Sequence, residues 1–296
     1  MRSLLFVPGD STRKLEKGHA SAADILLIDL EDSVSPANKD EARRVTAGFL
    51  SSHREADAGR FFVRVNAFET GMLEDDLAAV MPSGPSGIML PKCAGRHEVE
   101  ALDELLSRAE SHSRMESGST RILPIITETA AAALNFASYR TGLPRLCGLT
   151  WGAEDLSADL GARATRDTAG RYTDPFRFAR TVTLMAAAAT NVPAIDTVFV
   201  DFSDADGFET ECREAERDGY TAKMAIHPAQ VDIINRVFTP SPEAVLEAQA
   251  IVDAFEAAGN PGVVGIGGKM YDRPHLRRSQ RILDRAHAAG LVAGSG

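Results

Sequence analysis

The sequence predicts an α/β protein: a closed parallel (β/α)8 barrel of the TIM type, followed by a C-terminal helical extension. Three observations carry that expectation. Short apolar runs recur between Ser3 and Ile226, and a stretch with helical patterning separates each from the next. The runs are continuous rather than alternating, as expected of strands covered on both faces in a parallel sheet. The runs also end at or near polar or charged residues, which would gather on the strand C-terminal rim where barrels keep their active sites. No G-x-G-x-x-G follows the first run, so the runner-up, an open doubly wound sheet, lacks its fingerprint.

In chain order the first run is Ser3–Val7, ending at Pro8-Gly9, and a polar helix follows over Ser11–Ala23 with Ser11 or Thr12 as its cap. Asp24–Leu30 is the second run and ends in Glu31-Asp32; Lys39–Ser52 reads as a helix. Phe61–Val65 ends around Arg64-Val65-Asn66, a short helix lies near Met72–Val80, and Gly87–Leu90 ends in Pro91-Lys92. The charged amphipathic helix His97–Ser111 and a polar loop lead to Ile122–Thr127, which stops at Glu128. Leu146–Trp151 stops just before Glu154-Asp155, with a helix start over Thr127–Leu134 between the two runs. Phe176–Asn191 is helical, Ile195–Val200 ends at Asp201, Glu209–Asp218 is helical, and Ala222–Ile226 ends at His227-Pro228. A barrel of about 250 residues is complete near Phe238, which divides the chain into 1–238 and an extension over 239–296. In the extension, a long helix over Pro242–Ala258 capped by Ser241 precedes a mobile-looking Gly259–Gly268 and a basic helix, Leu276–Ala289.

Composition narrows the function classes. A net charge of −10 argues against a nucleic-acid or anionic-membrane surface, although it leaves room for a local basic pocket. The 3 cysteines, Cys93, Cys147 and Cys212, show no metal spacing and read as small buried hydrophobes in a reducing compartment. The apolar start of MRSLLFVPGD is too short for a signal or a span, so the cytoplasm is expected.

Glu128 and Asp155 stand at matching ends of neighbouring runs. Two carboxylates converging with open water positions suit Mg²⁺. Taken singly, each is equally well read as a first-turn carboxylate at a helix N-terminus; the pairing favours the metal. Arg64 is the cation to lift highest, because a guanidinium can clamp a carboxylate bidentately and stays charged. Lys92 is equally well read as offsetting the acids, Asp201 as capping a loop, and His227 as starting a helix.

The blocks SLLFVPGDSTRKLEKGHASAADILLIDLEDSV, RVN, MLPK, ITETA, GLTWGAEDLSADLG, AKMAIHPAQV and GKMYDRPHL follow in order over nearly the whole chain. Together they resemble the CitE-like branch of the HpcH/HpaI aldolase superfamily, with its citrate lyase beta subunits, malyl-CoA and citramalyl-CoA lyases and, more distantly, malate synthase. The resemblance implies a Mg²⁺-dependent carbon–carbon lyase acting on an acyl-CoA thioester and yielding an α-keto acid. It implies Glu128 and Asp155 as Mg²⁺ ligands, Arg64 on the keto acid, and Glu31 and Asp32 lining the site. It implies Asp272 as a general acid/base that enters a neighbouring subunit, hence a homo-oligomer, a trimer or a multiple of one; residues alone favour Asp272 as a helix cap. Arg13 and Lys17 resemble the CoA-contacting basic residues, against the commoner fate of a solvated helix face; Lys223 and His227 are weaker candidates. Gly267-Gly268-Lys269 departs from the expected Asp-Gly-Lys, and Thr221-Ala222-Lys223 lacks the usual glycine. Alternatives are a citryl-thioester lyase subunit working on an acyl-carrier protein, a malate-synthase-like or thioesterase activity, and a non-catalytic metabolite-binding protein.

Overall fold

The computed structural model describes residues 1–54, 57 and 59–291. They divide into two compact units, Met1–Asn235 and Arg236–Gly296.

The first unit is a parallel barrel. Its strands are β1 (Ser3–Pro8), β2 (Ile25–Asp29), β3 (Phe61–Arg64), β4 (Gly87–Leu90), β5 (Arg121–Pro124), β6 (Leu149–Thr150), β7 (Ala194–Asp196) and β8 (Ala222–Ala225). They form one 8-stranded sheet in the order β5-β4-β3-β2-β1-β8-β7-β6. Parallel bridges from Ile122 to Leu146 and from Ile125 to Thr150 join its two ends. The helices are α1 (Thr12–His19), α2 (Lys39–His53), α3 (Leu73–Val80), α4 (Arg96–His112), α5 (Ala130–Leu134), α6 (Ala153–Leu160), α7 (Asp174–Thr190), α8 (Ala205–Asp218) and α9 (Pro228–Phe238).

Alternate strand residues fill the interior. Leu4, Ile25, Leu27, Phe62, Met89, Leu123, Ile195, Ala222 and Met224 pack into one cluster, while Leu26, Ile28 and Val63 are equally buried on the other face of their strands. That two-sided burial is why the runs read as continuous rather than alternating. Glycine at 87 is a packing requirement: a Cβ there would lie 2.4 Å from the Phe62 ring.

Two boundaries differ informatively from expectation. β7 stops at Asp196, so the seventh strand does not carry Asp201 to the rim. Asp201 instead folds onto its own loop, accepting the backbone N–H of Ser203 at 3.0 Å and its hydroxyl at 2.5 Å. α8 begins at Ala205, ahead of the expected Glu209, because the Asp204 carboxylate caps the Gly207 N–H at 2.9 Å.

In the second unit α10 (Pro242–Ala257) and α11 (Arg273–Ala288) flank an antiparallel hairpin, β9 (Val263–Ile266) with β10 (Lys269–Asp272). Ile251, Phe255, Val264 and Leu276 form its core. The stretch expected to be mobile is therefore half of a hairpin. Its two turn residues, Gly267 and Gly268, hold φ of 55° and 78°. Positive φ at both positions is the geometry of a two-residue hairpin turn and suits glycine. Among the described residues no helix is long and apolar enough to cross a membrane.

Candidate active site on the barrel rim

The ends of β2, β3, β4 and β5 and the start of α6 bring a dense set of charges together. Register sets the first pair: Asp29, the last residue of β2, stands opposite Arg64, the last of β3. Arg64 donates from Nε and Nη2 to the two oxygens of Asp29, both at 2.7 Å. Its Nη1 lies 3.0 Å from Glu31 Oε2, and its guanidinium sits 4.8 Å over the Phe6 ring. Asp29 also accepts the backbone N–H groups of Glu31 at 2.9 Å and Ser33 at 3.0 Å, which fixes the loop bearing Glu31 and Asp32. Burial opposes ionisation of Asp29, but Arg64 outweighs it and holds the carboxyl below its usual range.

Lys92 is the hub. It is a non-glycine residue at φ 50°, a left-handed conformation with a steric cost. In that conformation its backbone N–H donates to Glu128 Oε2 at 2.5 Å. Its ammonium lies 2.5 Å from Glu31 Oε1, 3.3 Å from Asp32 Oδ2 and 3.2 Å from Asp155 Oδ1. Burial disfavours the charged amine, yet the hydrogen bond and charge of Glu31 raise its pKa overall. Behind the loop, Lys39 donates to the carbonyls of Leu30 at 2.7 Å and Glu31 at 2.8 Å and to Asn66 Oδ1 at 2.7 Å. Asn66 is held in turn by Asp76.

Glu128 follows β5 and is only 2% exposed. Gly152 makes the room for it, since a Cβ there would lie 2.6 Å from Glu128 Cγ. Burial first, and the nearby Asp155 second, push the Glu128 carboxyl up to about 8. Burial likewise raises Glu31 despite Arg64 and Lys92. Asp29, Glu31, Asp32, Glu128 and Asp155 thus outnumber the cations around them, Arg64 and Lys92 within the cluster and Lys39 behind it. A set of hard oxygen donors short of positive charge fits a dication of the Mg²⁺ kind, and in it Glu128 has Asp155 and Glu31 as like-charged neighbours while Glu31 has Asp32.

The structure therefore brings Glu31, Asp32, Arg64, Glu128 and Asp155 into one place. Arg13 and Lys17 are exposed on α1 and make no side-chain hydrogen bond or ion pair among the described residues, so neither takes part in that cluster. Lys223 is corrected outright as a ligand contact. Ala222 and Met224 face the barrel interior, so the pleat turns Lys223 outward beneath the helices, where it is fully buried. Its ammonium is 2.8 Å from Asp196 Oδ2 and 2.9 Å from Glu211 Oε1. His227 stacks on Phe202, centroids 5.0 Å apart. Asp272, in the second unit, caps α11 and shares a reciprocal box with His275, whose Nδ1 is 2.5 Å from Asp272 Oδ1. That hydrogen bond holds the Asp272 carboxyl below its usual range. Asp29 and Lys39 were missed in the sequence. The available signal for Asp29 was a carboxylate inside the apolar run DILLIDL, which a buried strand tolerates only with a partner.

Comparison with known proteins adds to this geometry. Residues 2–228 match the family model described as HpcH/HpaI aldolase/citrate lyase. The citrate lyase subunit beta of Leuconostoc mesenteroides subsp. cremoris is 31% identical over 100% of this chain and 96% of its own. The mitochondrial citramalyl-CoA lyase of Mus musculus is 32% identical, covering 96% of this chain and 86% of its own. A (3S)-malyl-CoA thioesterase of Cereibacter sphaeroides is 33% identical over 99% and 97%. Among solved structures, the CitE protein of Mycobacterium tuberculosis in complex with magnesium, acetoacetate and coenzyme A superposes with a TM-score of 0.76. It is 30% identical and covers 97% of this chain and 98% of that one.

Proposed function

This chain belongs to the HpcH/HpaI aldolase/citrate lyase family, and we propose that it is a Mg²⁺-dependent carbon–carbon lyase. Its substrate is a β-hydroxy acyl-CoA such as malyl-CoA or citramalyl-CoA, and its products are an acetyl-type thioester and an α-keto acid. The observation that carries this reading is the rim cluster, in which Glu128 is pushed up to about 8 by its burial and by Asp155, so that a dication satisfies both carboxylates. When bound there, Mg²⁺ supplies polarisation of a keto-acid carbonyl and neutralisation of its carboxylate.

The chain's own residues do the rest. Glu128 and Asp155 hold the metal. Arg64, anchored in one plane by Asp29 and Glu31, turns its remaining N–H groups to the keto-acid carboxylate. Its orientation is set before substrate arrives, so little reorganisation is needed as charge develops. Glu31 and Asp32 position Lys92 and bound water. In cleavage the β-hydroxyl passes its proton to water held at the rim, the Cα–Cβ bond breaks, and the thioester enolate takes a proton at carbon from the protonated carboxyl of the carrier, which water then reprotonates. Asp272 from a neighbouring subunit is the carrier of that proton. His275 keeps its carboxylate ionised, the state that accepts the proton when the reaction runs toward condensation. Arg13 and Lys17 meet the CoA phosphates. This division of labour calls for a homo-oligomer, a trimer or a hexamer, working in the cytoplasm.

The test is Mg²⁺-dependent cleavage of malyl-CoA and citramalyl-CoA, with keto acid and free thiol followed separately and an Asp272→Asn variant alongside. Keto acid without thiol, lost on EDTA treatment and in the variant, is the expected result. Thiol release would replace the lyase with the thioesterase chemistry that one relative's name carries. Inactivity on both CoA esters with turnover of a citryl acyl-carrier protein would make the chain a citrate-lyase beta subunit. Full activity in Asp272→Asn would remove that residue from the mechanism.

A further inference from the structure

Among the described residues the rim chemistry leaves unused a group of metal-ligating side chains at the other end of the barrel. A carboxylate oxygen of Glu16 and one ring nitrogen each of His19 and His53 all lie within 4.8 Å of one another. His19 ends α1 and His53 ends α2. In a parallel barrel the helices run against the strands, so these ends fall on the face where β2 and β3 begin, away from Glu128 and Asp155.

The hydrogen bonds assign the free lone pairs. His53 Nδ1 is 2.9 Å from the Phe49 carbonyl, which can only accept, so Nδ1 carries the proton and Nε2 is left basic. Nε2 is 3.8 Å from Glu16 Oε2. His19 Nε2 is 2.8 Å from Asp57 Oδ2, and donation to that carboxylate leaves Nδ1 basic. A histidine whose second nitrogen donates to a carbonyl or a carboxylate is how protein metal ligands are oriented. Packing holds the rings as well: the imidazole centroids are 4.5 Å apart, and His53 lies 4.3 Å from the Phe49 ring. A favourable interaction with the helix dipole explains a histidine at the end of either helix. It does not explain Glu16 and His19 of α1 gathering with His53 of α2 so closely.

We propose that Glu16, His19 and His53 form a second metal site, one for a borderline transition-metal dication of the Zn²⁺ class, with Asp57 orienting His19. Imidazole nitrogens with one carboxylate select Zn²⁺, Co²⁺ or Ni²⁺ over Mg²⁺, so the two sites sort metals by donor chemistry. Metal–ligand bonds of about 2.0–2.1 Å in a tetrahedron put donors roughly 3.4 Å apart. The 3.8 Å between His53 Nε2 and Glu16 Oε2 closes with a small rotation of Glu16, whose side chain is 53% exposed. A fourth position remains for water. Occupied, the site clips the ends of α1 and α2 together, and it takes no part in the reaction at the rim.

The test strips the full-length protein with EDTA, saturates the rim site with excess Mg²⁺, and titrates Co²⁺ by visible absorption and Zn²⁺ against a chromophoric chelator. One equivalent with a tetrahedral cobalt spectrum is expected. His53→Gln and Glu16→Gln should each weaken Zn²⁺ by more than about tenfold, and Asp57→Asn by about tenfold, that being the low end for losing an orienting partner. An Asp155→Asn variant should bind Zn²⁺ as the parent does. No equivalent bound in the presence of Mg²⁺ overturns the proposal. So does binding that Asp155→Asn abolishes while His53→Gln and Glu16→Gln leave it intact, which would place the zinc on the rim. Far-ultraviolet circular dichroism of the metal-free variants separates lost ligation from lost fold, and the exposed Glu16 substitution carries the test if His53→Gln does not fold.

Discussion

Two charge clusters flank the strands of this barrel, and their contrast separates a set short of positive charge from a saturated one. Under the helices, Asp196 accepts from Lys223 at 2.8 Å, from Trp151 Nε1 at 2.8 Å and from Arg180 Nε at 3.2 Å. Glu211 takes Lys223 at 2.9 Å and Arg166 at 2.6 Å. Burial opposes ionisation of Asp196, but Lys223 and Arg180 prevail and hold it low. On the rim the balance is reversed: carboxylates outnumber cations, and Glu128 is driven up to about 8. Both clusters centre on buried carboxylates and both shift pKa values strongly. What distinguishes them is the sign of the imbalance, because a saturated network has nothing left to offer a ligand.

Stability should register the helix-side cluster most strongly. Lys223→Met leaves Asp196 and Glu211 short of a buried partner and is expected to cost about 3–5 kcal/mol in urea unfolding. A loss below 1 kcal/mol would mean that the neighbouring arginines suffice and that the network is redundant. Asp155→Asn should do the opposite, lowering cleavage by about 10²–10³-fold, the scale of losing one transition-state charge partner. The same variant should unfold within about 1 kcal/mol of the parent, since it removes a like charge from Glu128. A matching loss of stability would erase the distinction drawn between the clusters.

The third expectation is a pH dependence. Burial and Asp155 push the Glu128 carboxyl up to about 8 in the metal-free fold, and it must lose its proton to ligate. Below that pH, Mg²⁺ affinity should fall by up to tenfold per unit as protons compete, and each ion bound should release a proton. Stability carries the matching sign: a carboxyl raised above its unfolded value makes the metal-free protein less stable as pH climbs from about 4.5 to 8, and Mg²⁺ offsets the loss. Calorimetry in buffers of different ionisation enthalpy would count the protons, and a count of zero at pH 7 would contradict the assignment. The smallest effect belongs to the exposed helix α1. Arg13→Ala and Lys17→Ala should each raise KM for the CoA thioester by about five-fold or less with kcat unchanged, as exposed charges contribute about 0.2–1 kcal/mol. An effect on kcat instead would place them nearer the chemistry than the fold does.

Much of this was legible in the chain. Continuous apolar runs located every barrel strand, because burial on both faces makes each strand apolar throughout and its shortness sets it apart from a helix. The convergence of Glu31, Arg64, Glu128 and Asp155 followed from strand ends sharing one rim. Register was not legible, and register makes Asp29 the anchor of Arg64. Lys223 misled because its side of the strand depends on a one-residue phase, which a short run such as Ala222–Ile226 does not declare. The hairpin over Val263–Asp272 hid behind its glycines, although Gly-Gly between two apolar-containing segments is itself a turn signal.

Lys92 has a consequence for how the molecule is made. Its ammonium, fixed by a strained backbone 2.5 Å from Glu31 and 3.2 Å from Asp155, is a counter-ion on a tether. A nascent chain can therefore close its barrel around these acids before any ion is available. Loading a dication onto Glu128 and Asp155, as proposed, then becomes an exchange in which a covalently attached cation yields to a free one. The protein is its own placeholder, and an empty site need not be a collapsing one.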